Sequence, residues 1–336
     1  MKILMEFTPK KFSVGRRGFA LGGPLALLPG MVRAQARDWP TRLVRVVVPF
    51  APGGATDIMG RLIAERFTTI FGQSFVVENR PGAAGIIGVE AVARSPADGY
   101  TLLIGTISTH AMNVPLYGAR LPYDPLRDFL PVTRLSGGVS AVVVHPSLPV
   151  SDLQGLITYI KANPGKLNYG SGGAGTTTHL AAEMFKHMAG LDIVHVPFRA
   201  PTAATIALSA GQVQIMVDTL VATRALVREG KLRMLAVTSN ARLPEFPDLP
   251  TVAELLPGFE LNGWTGLFVP AGTPMTLIER LDGAARTVLA EDTIIQRVEA
   301  AGAVAAPLGP APFEVFIKGE IARWTGVVRA ANISMD

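Results

Sequence analysis

Short apolar runs bounded by glycine, proline and polar residues alternate along this chain with stretches whose apolar residues recur every three or four positions. The first pattern predicts buried strands and the second amphipathic helices. Through the first third, strands are expected over 44–48, 75–78 and 101–105, with helices over 58–71 and about 86–94 between them. After Tyr123-Asp124-Pro125, the segments 129–135 and 139–144 read as extended. A second series follows, with helices over 153–162, 178–189, 202–208 and 221–230. Strands are expected at 167–170, 193–196, 213–217 and 232–237. Such alternation implies parallel sheets with helices on both faces.

The pattern then changes. Residues 244–257 are proline-rich, 264–269 read as extended, and only helices are expected afterwards, over 274–290, 293–300 and 312–331. Terminal helices without strands of their own must cover a sheet built earlier. The chain is therefore expected to leave its first domain near 137–142 and to return near 261–266, the two crossings forming a hinge. The expected fold class is α/β with two lobes, each a mostly parallel sheet flanked by helices. Lobe 1 would comprise 37–140 and 263–336, and lobe 2 would comprise 141–262.

The N-terminus changes the picture of charge. Lys10, Lys11, Arg16 and Arg17 precede an apolar stretch that ends at Ala34-Gln35-Ala36, the pattern of a cleaved export signal over 1–36. Arg16-Arg17 within Gly15–Leu21 is similar to a twin-arginine signal, with the general secretory route as the rival. Pro24 and Pro29 interrupt the run, which is short for a span of ~20 apolar residues. The whole chain has 31 Lys+Arg and 26 Asp+Glu; the first 36 residues hold 6 and 1 of these, leaving 25 of each. The basic balance thus belongs to the leader, and it argues for neither nucleic acid nor a membrane surface as partner. The chain has no cysteine, which excludes disulfides and thiol catalysis.

Two loops carry the candidate chemistry. Val46–Val48 runs into Pro49-Phe50-Ala51-Pro52-Gly53-Gly54 and then a helix bearing Ala55, Thr56 and Asp57. Leu167–Tyr169 runs into Gly170-Ser171-Gly172-Gly173-Ala174-Gly175, then Thr176, Thr177, Thr178 and His179. Each places backbone N–H groups at the positive end of a helix dipole, a site for a small anion. Neither loop holds Lys or Arg. Taken alone, Gly53-Gly54 is also what a tight turn and helix start require. Strand ends of open parallel sheets are where ligands lie, which adds Thr106, Ser108 and His110 after one strand and Asp218 at the end of another. For Asp218 the alternative is a helix cap.

Other readings meet the same residues. Gly170, Gly172 and Gly175 satisfy G-x-G-x-x-G, but Asp192 precedes its strand, whereas the ribose-binding acid of a dinucleotide site ends one. A nucleotide-dependent oxidoreductase is thus a weak alternative. A secreted hydrolase using Ser171, His179 and Asp218 is another, although G-x-S-x-G is absent because Tyr169 stands where its first glycine would be. The histidines lack metal-ligand spacing, and no metal or cofactor is expected.

Several strings together carry a resemblance over nearly the whole chain after the leader. They are Val48-Pro49-Phe50 with Pro52-Gly53-Gly54 and Asp57, Val77-Glu78-Asn79-Arg80-Pro81-Gly82-Ala83, Asp98-Gly99-Tyr100-Thr101, Leu121-Pro122-Tyr123-Asp124-Pro125 with Asp128-Phe129, Gly170–Thr176, and His195-Val196-Pro197-Phe198. This set resembles the solute receptors of tripartite tricarboxylate transporters, the Bug-type periplasmic binding proteins. The resemblance implies a type II periplasmic binding protein fold, a periplasmic monomer that closes on a small organic carboxylate, and delivery to the membrane subunits of such a transporter, without catalysis. It implies contacts from Phe50, Gly54, Ala55, Thr56 and Asp57 in one lobe and from Ser171, Gly175, Thr176 and Thr177 in the other. The chain departs from the family at Ala200-Pro201 and at Val217-Asp218-Thr219, both beside the expected cleft.

Overall fold

The structure, a computed structural model, describes Thr8, residues 39–301 and 303–330, and Ile333. The expected leader over 1–36 lies, apart from Thr8, outside the described residues. The elements in chain order are β1 (Val44–Val48), α1 (Ala55–Phe71), β2 (Phe75–Asn79), α2 (Ile86–Ala93), β3 (Thr101–Thr106), a π-helical turn (Ser108–Met112), α3 (Asn113–Tyr117), β4 (Phe129–Val144), α4 (Leu153–Ala162), β5 (Asn168–Ser171) and α5 (Thr177–Ala189). They continue with β6 (Val194–Pro197), α6 (Pro201–Ser209), β7 (Ile215–Thr219), α7 (Leu220–Arg228), β8 (Arg233–Val237), β9 (Asn262–Pro270), α8 (Met275–Leu289), α9 (Asp292–Ala300), β10 (Ala303–Leu308) and α10 (Pro310–Ala330).

Two sheets share one strand. In the first, β1 runs parallel to β2 and β3, and β9 joins β3 antiparallel. In the second, β5 runs parallel to β6 and β7. The long strand β4 belongs to both. Its first part, from Phe129 to Val139, pairs antiparallel with β9 on one side, and residues 134–138 pair with β10 on the other. Its last five residues, Ser140 to Val144, pair antiparallel with β7, and Ala141 to Val144 with β8. The segments expected at 129–135 and 139–144 are therefore one continuous strand that passes from sheet to sheet.

The local reasons are ordinary ones. The β1 segment Val44-Arg45-Val46-Val47-Val48 is β-branched at four of five positions, which suits a strand covered on both faces. Val46 and Val48 pack with Leu102 and Ile104 on one face, while Val47 packs with Leu103 on the other, as a two-residue side-chain period requires. In α1, Met59, Leu62, Ile63 and Phe67 form the buried stripe, and Gly72 closes the helix at φ 66°. The helix α4 starts on Asp152, whose Oδ1 accepts from the Gly155 amide at 2.7 Å.

The expectation of helices alone after 274 is corrected by β10. Ala303-Val304-Ala305-Ala306-Pro307-Leu308 lacks the composition of a strand, yet it pairs along β4, with the register shifting between Ala305 and Leu308 where Pro307 donates no hydrogen bond. The last helix, α10, buries Phe313, Ile317 and Trp324 and packs on β4 and on the π-helical turn, so it covers the first sheet as expected.

The approach to β1 is close-packed. A Cβ on Gly88, in α2, would stand 2.7 Å from the Arg80 carbonyl oxygen and 2.9 Å from Pro49 Cα, both backbone atoms with little room to yield. Gly88→Ala is expected to lower the unfolding free energy by about 1–3 kcal/mol, the usual cost of overpacking. Denaturant titration of the variant beside the parent checks this.

Candidate functional site

Both glycine loops end in helices that lack side-chain caps. Gly54, which has no side chain, precedes α1, and Thr176 precedes α5 without its side chain closing the first turn. The first-turn N–H groups of a helix have no partner within it, so these two ends carry unspent donors and a partial positive charge. Ala55 and Thr56 from α1 and Thr177 from α5 line one cavity of about 120 Å³. Thr106 at the end of β3 lines it too.

The floor of the cavity is the place where the chain crosses between sheets. Ser136, Gly138 and Ser140 of β4 lie beside Gly263, Trp264 and Thr265 of β9, and Gly138 is paired with Gly263. Ser136 Oγ and Thr265 Oγ1 share a hydrogen bond of 2.7 Å. Thr219, paired with Ser140, adds another hydroxyl. No Lys, Arg, His, Asp or Glu is among the described residues that line the cavity. A direct hydrogen bond joins the two sides of this space: Ser108 Oγ donates to the Gly175 carbonyl oxygen at 3.0 Å.

The remaining expected residues stand behind this surface and shape it. Asp57 is buried, accepting from the Gly53 amide, Arg61 Nε and Asn79 Nδ2, each at 2.9 Å. Burial would raise its pKa, but the hydrogen bonds from Arg61, Gly53 and Asn79 outweigh that and hold the carboxyl below its usual 3.8. Its charge is spent on fixing the first loop. Asn79 also donates to the Phe50 carbonyl oxygen at 3.0 Å, so Phe50 and Gly54 belong to the same braced turn.

The glycine-rich loop differs more from expectation. Its amides are largely turned inward: Gly172 N donates to Thr178 Oγ1 at 2.9 Å, Gly173 N to Ser171 Oγ at 3.1 Å, and Gly175 N to His179 Nδ1 at 3.3 Å. Thr176 Oγ1 donates to the Gly173 carbonyl oxygen at 2.6 Å. Ser171, Gly175 and Thr176 thus hold the loop's shape, and Thr177 reaches the cavity. Amides bonded this way are not offered to a pyrophosphate either, which removes the physical basis of the dinucleotide alternative. Ser171 Oγ lies 2.6 Å from His195 Nε2 rather than against His179, and Asp218 is bonded elsewhere, so the Ser171–His179–Asp218 arrangement of the hydrolase alternative does not form.

His110 and Asp218 are buried away from the cavity. The His110 ring stacks on Phe268 at 3.9 Å, and Thr109 Oγ1 lies 2.9 Å from its Nδ1. Asp218 accepts from Thr205 Oγ1 and from the Thr219 amide, each at 2.7 Å. Sequence reasoning placed both at strand ends, correctly, but a strand end does not fix which way a side chain turns. Ser136, Ser140, Trp264, Thr265 and Thr219 were not among the expected contacts. The signal that could have found Ser140, Trp264 and Thr265 was the prediction of two crossings at 137–142 and 261–266, since crossing segments border whatever lies between the lobes.

Residues 59–333 match the pattern of the tripartite tricarboxylate transporter family receptor. The chain belongs to that receptor family. It is 36% identical over 302 residues to protein BugT of Bordetella pertussis, covering 89% of this chain and 92% of that one. Among solved structures, an R. palustris protein with adipate is 39% identical, with a TM-score of 0.84 over 88% of this receptor chain and 99% of that one. MatC from Rhodopseudomonas palustris with bound malate is 34% identical, with a TM-score of 0.80 over 86% and 99%. The receptor fold is accordingly the two-lobed type II fold of periplasmic binding proteins. Among the described residues no helix is long and apolar enough to cross a membrane.

The buried titratable groups of the receptor give it a pH signature. Burial pushes His110 down to about 3 and, with His179 beside it, His195 down to about 4; His179 is lowered by burial as well. A histidine that binds its proton less well when folded adds stability above about pH 6.5, and this is lost as pH falls toward the folded pKa. Burial pushes Asp218 up to about 6, against the hydrogen bonds of Thr205 and the Thr219 amide. Its contribution has the opposite sign, present below pH 3.8 and lost as pH rises through 6, but it is one group against three. Unfolding free energy is expected to fall between pH 6.5 and pH 4 in denaturant titrations. The fall should be shallower in His110→Phe, which keeps a ring on Phe268.

Proposed function

We propose that this chain is a periplasmic receptor that closes on a small carboxylate and presents it to the membrane subunits of a tripartite tricarboxylate-type transporter. The observation that carries the reading is one cavity lined from both sheets by two helix N-termini, Ala55 and Thr56 on one side and Thr177 on the other. Relatives solved with adipate and malate support a carboxylate as the class of solute. The leader pattern over 1–36 supports export.

The lobes in this reading are 37–140 with 263–336, and 141–262, hinged where β4 and β9 cross. Micromolar affinity corresponds to about 8 kcal/mol. A hydrogen bond to a charged group contributes roughly 1.5–3 kcal/mol, against an association cost of about 4–15 kcal/mol. Donors from one helix end alone fall short of that sum. Donors from both, with the Thr106 hydroxyl and water excluded by closure, reach it. Closure and affinity are therefore the same event, and the closed shape is what a membrane subunit can distinguish from the open one. Phe50, Gly54, Asp57, Ser171, Gly175 and Thr176 act by holding the two helix ends in position.

A thermal-shift panel of small carboxylates against their uncharged amides tests this reading. The acids should raise the melting temperature and the amides should not; stabilisation by amides with the acids inert would overturn it. Thr177→Val, which keeps the shape and removes one donor, should weaken binding of a stabilising acid about tenfold or more by calorimetry.

A further inference from the structure

The cavity has two unlike walls. Strand ends and helix tips build one, and that wall carries the hydroxyls of Thr106, Ser136 and Thr265. The other is the flank of α1 facing the end of α9 and the start of β10, and its side chains are apolar. Met59 and Leu62 line it from α1, and Val298, Ala301 and Ala303 line it from the opposite side. Leu62 is six residues beyond Thr56, so at 1.5 Å rise per residue the cavity follows the helix for about 9 Å from its positive end.

Trp264 adjoins this wall through β9, but its ring lies on the other face of the sheet, edge-on to Phe313 and Phe316. Its Nε1 is already committed, donating to Glu320 Oε2 at 3.1 Å, and Glu320 is held in turn by Arg323 Nε at 2.9 Å. The indole therefore has no donor left for a solute. The nearby cation Arg134 is also engaged elsewhere, donating to the Ala306 carbonyl oxygen at 2.8 Å with its guanidinium 5.0 Å from the Phe316 ring centre. A second carboxylate at the far end of a solute would be taken out of water with no cation among the described lining residues to pair it. Such a group is costly to bury. A methyl or aryl terminus loses nothing there and gains from leaving water.

We propose that the solute is an amphipathic monocarboxylate: one carboxylate at the ends of α1 and α5, and an apolar body lying along α1 against Leu62, Val298 and Ala301. The proposal rests on the receptor reading above and narrows it to one branch of the carboxylates.

Hexanoate and adipate have the same chain length and differ only in the far carboxylate, so calorimetric titration of the protein with each isolates that end. Hexanoate is expected to bind at least tenfold more tightly than adipate. Adipate binding as tightly or more tightly would overturn the proposal while leaving a carboxylate receptor in place. So would inertness of both when other acids of the panel stabilise the protein. If no carboxylate of any kind binds, the receptor reading itself falls, a separate result. A second measurement uses Ala301→Lys, which puts an ammonium on the apolar wall, where the C-terminal end of α9 favours positive charge. The ratio of adipate to hexanoate affinity should rise at least tenfold in the variant, and an unchanged ratio would also count against the proposal. The comparison in the parent protein stands whether or not the variant folds.

Discussion

One strand hydrogen-bonded into two sheets sets everything else in this molecule. β4 spans 16 residues, and the step between its two sets of partners falls at Val139–Ser140. Beside it runs β9, with Gly138 facing Gly263. Because the two crossing strands are paired with each other, the space above them has a floor of fixed backbone whose width is a strand spacing. The helix ends reach that space from the two sides. Remove the pairing of β4 with β9, and α1 and α5 have no reason to meet.

That arrangement explains how an anion site can be built without a cation. Arginine or lysine in a cleft would bind its counter-ion in the open state and would respond strongly to salt. Helix N-termini and hydroxyls supply a weaker field that depends on proximity. The glycine-rich loop offers fewer free amides than its composition suggests, because Gly172, Gly173 and Gly175 donate to Thr178, Ser171 and His179. Its permissive backbone serves to fold the loop back on itself. Gly173 and Gly175 sit at φ 109° and 76°, where a side chain would be strained.

Most of the fold could be read from the chain because its strands and helices follow simple periods. The Val44–Val48 run, the spaced Met59, Leu62, Ile63 and Phe67, and the four strand–helix alternations after Leu153 each agree with their neighbours. What failed to read was decided at a distance. Ala303–Leu308 is a strand only because the open edge of β4 needs a partner there, and alanine-rich sequence with a proline gives no hint of it. In the site, Ala55, Thr56, Thr106 and Thr177 were legible because the start of a helix and the end of a strand are themselves marked in sequence. Phe50, Gly54, Asp57, Ser171, Gly175 and Thr176 were legible as members of the loops, but whether each faces the cavity or braces the turn depends on hydrogen bonds to residues far along the chain, such as Asn79. Ser136 and Thr265 come together from positions 129 residues apart, a separation no local pattern encodes.

The order in which the strands are threaded has a consequence for how the molecule is made. β1, β2 and β3 emerge first in synthesis, yet the strand that covers the free edge of β3 is β9, and the helix that covers its neighbour β4 is α10, which ends at Ala330. The sheet assembled earliest therefore keeps an unpaired edge until β9, at Asn262–Pro270, has been made. Pairings of this kind join residues remote in sequence and close slowly. A nascent or truncated form would expose Leu103, Ile104 and Thr106 on that edge, the sort of surface that sticks to other copies or is held by a chaperone.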